Sequence, residues 1–356
     1  METSYRPELL QLRDASQLER YNQLIDERSV SVYDVIDSQL RELFIVRNPG
    51  SGFEAGAYDQ FVKQCLDGQR MRGYGVWVFY PWSRRLVHVL PEEAFIEVRT
   101  NRNKLKITEQ EQLALAGKTV GVVGLSVGQS IALTLAMERT CGTLRLADFD
   151  DVELSNLNRI RTGVHNLNTN KAVLAAREIA EIDPFIQVEV FTDGLTEHNI
   201  ASFLGDGSVK LDLLIEVCDS MAIKLQSRVA ARSLRIPVVM ETNDRCMLDI
   251  ERFDLEAGLP ILHGLVAEED AVGGAALSRE EQLTIVKKIV DMAQLSERMK
   301  QSFAELGKTL RSWPQLASSV VLGGGVVTDV ARKILLGEHA QSGRYYFDID
   351  RILNDN

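Results

Sequence analysis

From Lys118 onward the chain alternates between two kinds of segment. Short apolar runs, KTVGVVG, TLRLADF, VEVF, LDLLIEV and PVVMET, are interspersed with stretches of helical length, QSIALTLAMERT, TNKAVLAAREIAEI and MAIKLQSRVAARSL. A continuous apolar run of strand length implies cover on both faces, and a strand–helix–strand order joins such strands in parallel. The expected fold is therefore α/β, a doubly wound, mostly parallel sheet with helices on both faces. Asn168 or Thr169 is the expected cap of the second of these helices.

Residues 1–98 read differently and predict a smaller N-terminal α+β module, with residues 99–356 forming the larger domain. LQLRDASQLERYNQLIDERS and VYDVIDSQLRELFIVR predict helices, and RNPGSGFEAG has turn chemistry. YGVWVFYPWSRRLVHVL predicts two strands around a Pro-Trp-Ser turn. Trp77, Phe79 and Tyr80 are then sheet core or an aromatic platform for a ligand. Residues 278–310 predict a charged helical insertion, VVTDVARKILLG a further helix, and GRYYFDID a closing strand.

Composition narrows the function. Hydrophobic residues make up 45% of the 356, enough for a sizeable core. A net charge of −11 argues against nucleic acid as a partner, because neutralising phosphates takes a basic surface. Cys65, Cys141, Cys218 and Cys246 form no C-x-x-C, which disfavours structural zinc and fits a reducing cytoplasm. The first residues are polar, without a signal-peptide core, and no apolar run reaches the roughly 18 residues of a membrane helix. A cytoplasmic protein without membrane association is expected.

The candidate chemistry begins at GVVGLSVGQS, residues 121–130. A strand ends at Gly124 and a helix opens behind it, so free N–H groups and the helix dipole favour phosphate. Gly124 and Gly128 permit a tight turn and close approach, but Ser126 stands where a dinucleotide-binding turn carries a second glycine. Asp148 ends the next strand, where a carboxylate accepts hydrogen bonds from ribose hydroxyls. Asp150 and Asp151 also suit helix capping. Downstream, Asn156, Arg159, Arg161 and Lys171 crowd one short span, which points to a triphosphate rather than a diphosphate bridge.

DFDDVELSNLNR resembles the D-x-D-x-V-x-x-S-N-L-x-R segment of the ThiF/MoeB family, adenylating enzymes related to ubiquitin-activating enzyme. RNKLKITEQEQLALAGKTVGVVG, LDLLIEVCDSMAIKLQSR and SSVVLGGGVVTDVARKILLG…GRYYFDID are similar to that family's entry segment, metal-ligand strand and final helix and strand. The likeness covers residues 99–245 and 317–350. It implies a Rossmann-like sheet of ThiF type, with Gly124, Ser126, Gly128, Asp148, Asp150 and Asn156 binding the nucleotide. Arg159 and Lys171 would grip the triphosphate, and Asp219 would bind Mg²⁺. Arg102 would cross a homodimer interface to the γ-phosphate, with Arg99 as its competitor.

The resemblance implies an ATP- and Mg²⁺-dependent adenylyltransferase that activates a carboxylate and releases pyrophosphate. The carboxylate would be the C-terminus of a ubiquitin-like protein, a peptide or a small metabolite. It is ionised at pH 7 and needs no general base, while cations offset the meeting of two anions. The chain departs from the family pattern in lacking zinc knuckles and in reading Glu216-Val-Cys-Asp219-Ser220 at the metal strand. Cys246 is the candidate thioester nucleophile or else a buried strand residue. Cys218 is expected to line the pocket, and His263 to enter it or fill a turn. Two alternatives stay open: an NAD-binding oxidoreductase and a non-catalytic nucleotide-binding scaffold.

Overall fold

The computed structural model describes residues 4–50, 54–205, 207, 209–267 and 279–354. The chain divides into two units, Met1–Gln110 with Ala180–Phe185, and Glu111–Ile179 with Ile186–Asn356. The first holds β1 (Glu8–Leu10), α1 (Ala15–Asp26), β2 (Ser31–Asp34), α2 (Ile36–Arg47), α3 (Ala55–Leu66), β3 (Val76–Tyr80), β4 (Arg85–Val89) and α4 (Glu92–Thr100). Its sheet has the order β1-β3-β4-β2, antiparallel except between β2 and β4. Asp14 starts α1 by accepting the Ser16 and Gln17 N–H groups.

One helix expected from sequence begins later than predicted. The residues SVYD form β2 instead, with Tyr33 opposite Val87 of β4, and the helix starts at Ile36. Val32 and Tyr33 favour a pleated surface, and the available edge of β4 outweighs their helical context. The β3 aromatics are core. Trp77 and Phe79 pack with Tyr21, Leu24 and Leu86, while Tyr80 lies with Val76, Val78, Ala180 and Phe185. Trp77 also stacks on His88 with ring centroids 4.2 Å apart. Fully covered rings offer no platform to a ligand.

Helix α5 (Glu109–Ala116) precedes the large sheet. There follow β5 (Thr119–Val123), α6 (Leu125–Glu138), β6 (Thr143–Ala147), α7 (Lys171–Ile182), β7 (Gln187–Phe191), α8 (Ile200–Leu204), β8 (Leu213–Glu216), α9 (Met221–Ser233) and β9 (Val238–Thr242). The rest comprises β10 (Met247–Glu251), α10 (Arg279–Ile289), α11 (Glu297–Glu305), α12 (Ala317–Leu335), β11 (Gly343–Tyr346) and α13 (Ile349–Asn354). Strand order is β11-β10-β9-β8-β5-β6-β7. The strands from β9 to β7 are parallel, and β10 and β11 extend the edge antiparallel. The fold is mixed α/β with a large, mostly parallel sheet, as the alternation of apolar runs predicts. Of the expected insertion, α10 and α11 account for 279–289 and 297–305, and residue 278 lies outside the described residues.

The cap of α7 is Asn170 rather than Asn168 or Thr169, since its Oδ1 accepts the Ala172 and Val173 N–H groups at 3.0 and 3.2 Å. The sheet's interior also holds charge. Glu216 takes Lys224 Nζ at 2.8 Å and Arg228 Nη1 at 2.6 Å, and Arg228 Nε reaches Glu251 at 2.6 Å. Opposed cations hold the Glu216 carboxyl down at about 2 against the upward push of burial. This network ties β8, α9 and β10 together beneath the crevice.

Candidate nucleotide site

Strands β5 and β8 are neighbours, but the connection from β5 continues to β6 on one side and that from β8 to β9 on the other. Such a reversal opens a crevice beyond the carboxyl ends of the strands. A cavity of about 270 Å³ occupies it, lined among others by Gly124, Ser126, Asp148, Phe149, Asp150, Gly194, Cys218 and Asp219.

Gly124 turns the chain from β5 into α6 at φ +86, and a Cβ there would lie 2.7 Å from Cys218 Cα. The loop after β8 therefore passes directly over the turn, and backbone cannot yield. Gly128 has a different reason: its Cβ would meet Val122 Cγ1 at 2.8 Å, so it lets α6 settle on β5. Ser126 is half-buried in the first turn of α6 and lines the cavity.

Asp148 is buried at the end of β6. One oxygen accepts the Leu125 N–H at 2.6 Å and the other the Asp150 N–H at 2.8 Å. It thus ties the turn to the next strand, while each oxygen keeps a lone pair for a ligand hydroxyl. Burial raises its pKa above the ordinary carboxylate value, opposed by the Leu125 N–H and the charge of Lys171. Asp150, at the cavity wall, pairs with buried Lys171 at 2.8 Å.

Asp219 is exposed, lines the cavity, and accepts no hydrogen bond among the described residues. Its charge acts on Arg159, whose pKa burial lowers and Asp219 raises. Arg159 Nε is buried without a hydrogen-bond partner among the described residues. The two residues are 60 positions apart in sequence, and the fold brings their charges together. Neither Arg159 nor Lys171 is among the residues lining the cavity.

Asn156 forms a capping box with Glu153, its Oδ1 accepting the Glu153 N–H at 3.0 Å. Arg102 is exposed in the first unit, where Arg99 pairs with Asp183 at 3.2 Å. Cys218 lines the crevice. Cys246 is buried, with its thiol pushed up to about 12 by burial and the Glu241 charge, so it presents little thiolate at neutral pH. His263 pairs with Asp249 at 3.0 Å instead of entering the crevice.

Phe149 and Gly194 were not foreseen from sequence. Phe149 is 69% exposed, and a Cβ on Gly194 (φ +67) would press on its ring at 3.0 Å. A phenylalanine between two acids, Asp148 and Asp150, was the available signal. No group of three or more His, Cys, Asp or Glu among the described residues could cage a metal. A lone free carboxylate at Asp219 fits Mg²⁺ that arrives on phosphates, since this ion keeps its waters and takes one or two carboxylates. No helix among the described residues is long and apolar enough to cross a membrane.

Comparison with known proteins agrees with this geometry. Uncharacterized protein MT1398 of Mycobacterium tuberculosis (strain CDC 1551 / Oshkosh) is 46% identical over 278 residues, covering 78% of this chain and 38% of that protein. The chain therefore spans well under half the length of that relative. The tRNA threonylcarbamoyladenosine dehydratase of Bacillus subtilis (strain 168) is 23% identical, covering 66% of this chain and 95% of that one. The sulfur carrier protein ThiS adenylyltransferase of Escherichia coli (strain K12) is 31% identical over 130 residues, 36% of this chain and 50% of that one. The model of the ThiF family matches residues 100–349, and the chain belongs to that family.

Proposed function

We propose that the protein is an ATP- and Mg²⁺-dependent adenylyltransferase that activates a carboxylate, working as a homodimer. The observation that carries this reading is the crevice itself: a helix N-terminus, a ribose-ready carboxylate and a free carboxylate whose charge acts on half-buried Arg159 lie at one cavity. A relative named as an adenylyltransferase supports it. The triphosphate lies over the first turn of α6, where the Ser126 and Val127 N–H groups donate to nothing among the described residues. Asp148 takes the ribose hydroxyls.

A carboxylate oxygen of the substrate bonds to the α-phosphorus as the bond to the α–β bridging oxygen breaks, and the electron pair leaves with pyrophosphate. Bound Mg²⁺ supplies charge neutralisation on the phosphates. Asp219 holds that ion, and Arg159 and Lys171 offset the charge that builds as two anions meet. Arg102, just beyond the module of residues 1–98, reaches the γ-phosphate of the partner protomer.

Isothermal titration tests the nucleotide. The expected outcome is ATP·Mg²⁺ binding retained in Ser126→Gly and lost in Ser126→Trp, whose ring fills the crevice. Tight NAD(H) binding with no response to ATP·Mg²⁺ would overturn the proposal.

A further inference from the structure

A second cavity, of about 200 Å³, adjoins the nucleotide crevice and shares Ser126, Val217, Cys218 and Asp219 with it. Its outer wall is apolar: Val286 and Ile289 of α10, Met299 and Phe303 of α11, and Trp313, whose ring meets Phe303 edge-on at 4.5 Å. Polar side chains interrupt this lining. Both carboxyl oxygens of Glu241, Oδ1 of Asn243 and Oε1 of Gln315 are buried without a hydrogen-bond partner among the described residues, and all three residues line the cavity.

Buried polar atoms are ordinarily paired, so four such orphans on three residues of one chamber need a reason. Glu241 is 4% exposed, with only the weak S–H of Cys246 acting on it. Its place is built: a Cβ on Gly323 of α12 would lie 2.6 Å from the Glu241 carboxyl carbon, so glycine there leaves the room that the carboxyl fills. Burial keeps the Glu241 carboxyl protonated at neutral pH, so it offers one carbonyl oxygen, and with the amide oxygens of Asn243 and Gln315 it presents acceptors to a ligand in an apolar chamber that opens on Asp219.

We infer that the activated substrate is a small carboxylic acid whose apolar body, about the size of one aromatic ring, carries an N–H or O–H donor for Glu241, Asn243 and Gln315. This rests on the adenylation reading. The carboxylate points to the shared wall at Ser126 and Asp219, and the body fills the second cavity. An apolar cavity of about 150 Å³ admits benzene, so this one takes a ring with a small substituent. A Gly-Gly tail would leave the apolar wall uncovered and the acceptors unpaired. The same chemistry is offered by a free acid or by the C-terminal residue of a short peptide.

The test measures binding and turnover separately, on the full chain with ATP·Mg²⁺. The ligands are acetate, 3-phenylpropanoate, its 4-hydroxy and 4-carbamoyl derivatives, a peptide ending in tyrosine, and one ending in Gly-Gly. Calorimetry is expected to show a donor-bearing ring acid or the tyrosine peptide binding at least ten-fold tighter than 3-phenylpropanoate. Which of these two binds tells the free acid from the peptide end. Glu241→Leu, which removes the accepting oxygen, should reduce that preference to less than three-fold, and Met299→Trp, which fills the chamber, should abolish ring binding. Equal or tighter binding of acetate or the Gly-Gly peptide, ring binding unaffected by Met299→Trp, or no binding of any ring overturns the inference. Pyrophosphate exchange with the Gly-Gly peptide alone would sink it while leaving adenylation intact. Ring binding without exchange would leave the pocket assignment standing and sink adenylation.

Discussion

At the scale of single residues, the site depends on a few side chains that have no freedom to change. Gly124→Ala places a Cβ 2.7 Å from the Cys218 backbone at a φ of +86. Strain and overpacking together should cost at least about 2 kcal/mol in urea denaturation. Glu241 behaves oppositely, because burial pushes its carboxyl up to about 8. The folded state then holds a proton that the unfolded chain releases above about 4.5, so stability falls as pH rises from there through 8. Glu241→Gln should therefore stabilise the fold, its advantage growing by up to about 1.4 kcal/mol per pH unit in that window, as read by denaturation at several pH values. A pH-independent difference would contradict this. Spacing alone revealed Gly124 and Asp148, because a strand end and its following helix are local. Glu241 was hidden: in PVVMET it is one acid closing an apolar run, and only the fold shows Gly323 making room for it.

At the scale of elements, the alternation of apolar runs and helices located β5 to β9, since a strand covered on both faces must be apolar along its length. The same logic passed over β10. MLDIE carries two acids, which argue against burial unless partners arrive from elsewhere. They do: Arg228 on α9 meets Glu251, while His263 and Arg344 meet Asp249. The partners lie 14 to 95 residues away, beyond the reach of any local pattern. Removing the hub exposes how the network works. Arg228→Met leaves Glu251 buried with no cation and Glu216 with Lys224 alone, and should lower stability by about 3–5 kcal/mol in chemical denaturation. A loss below about 1 kcal/mol would show that the acids are solvated or protonated and that the network is not what holds β10 to α9.

At the scale of the whole molecule, family and fold were legible because DFDDVELSNLNR carries a specific order of residues, while the partnership of its side chains was not. The charge of Asp219 reaches Arg159 only after the chain has passed through two more strands, and Asn156, from the same block, caps its own short helix with its Oδ1. Two adjoining cavities share Asp219, and the proposal places the nucleotide in one and the acid in the other. The most direct test of that logic is ATP–pyrophosphate exchange with labelled pyrophosphate, run with the panel of acids above. Exchange should require both Mg²⁺ and an added carboxylic acid, and Asp219→Asn should reduce it at least 100-fold while leaving the fold's denaturation midpoint unchanged. Exchange absent with every acid, or undiminished in Asp219→Asn, would contradict the assignment of this crevice as an adenylation site.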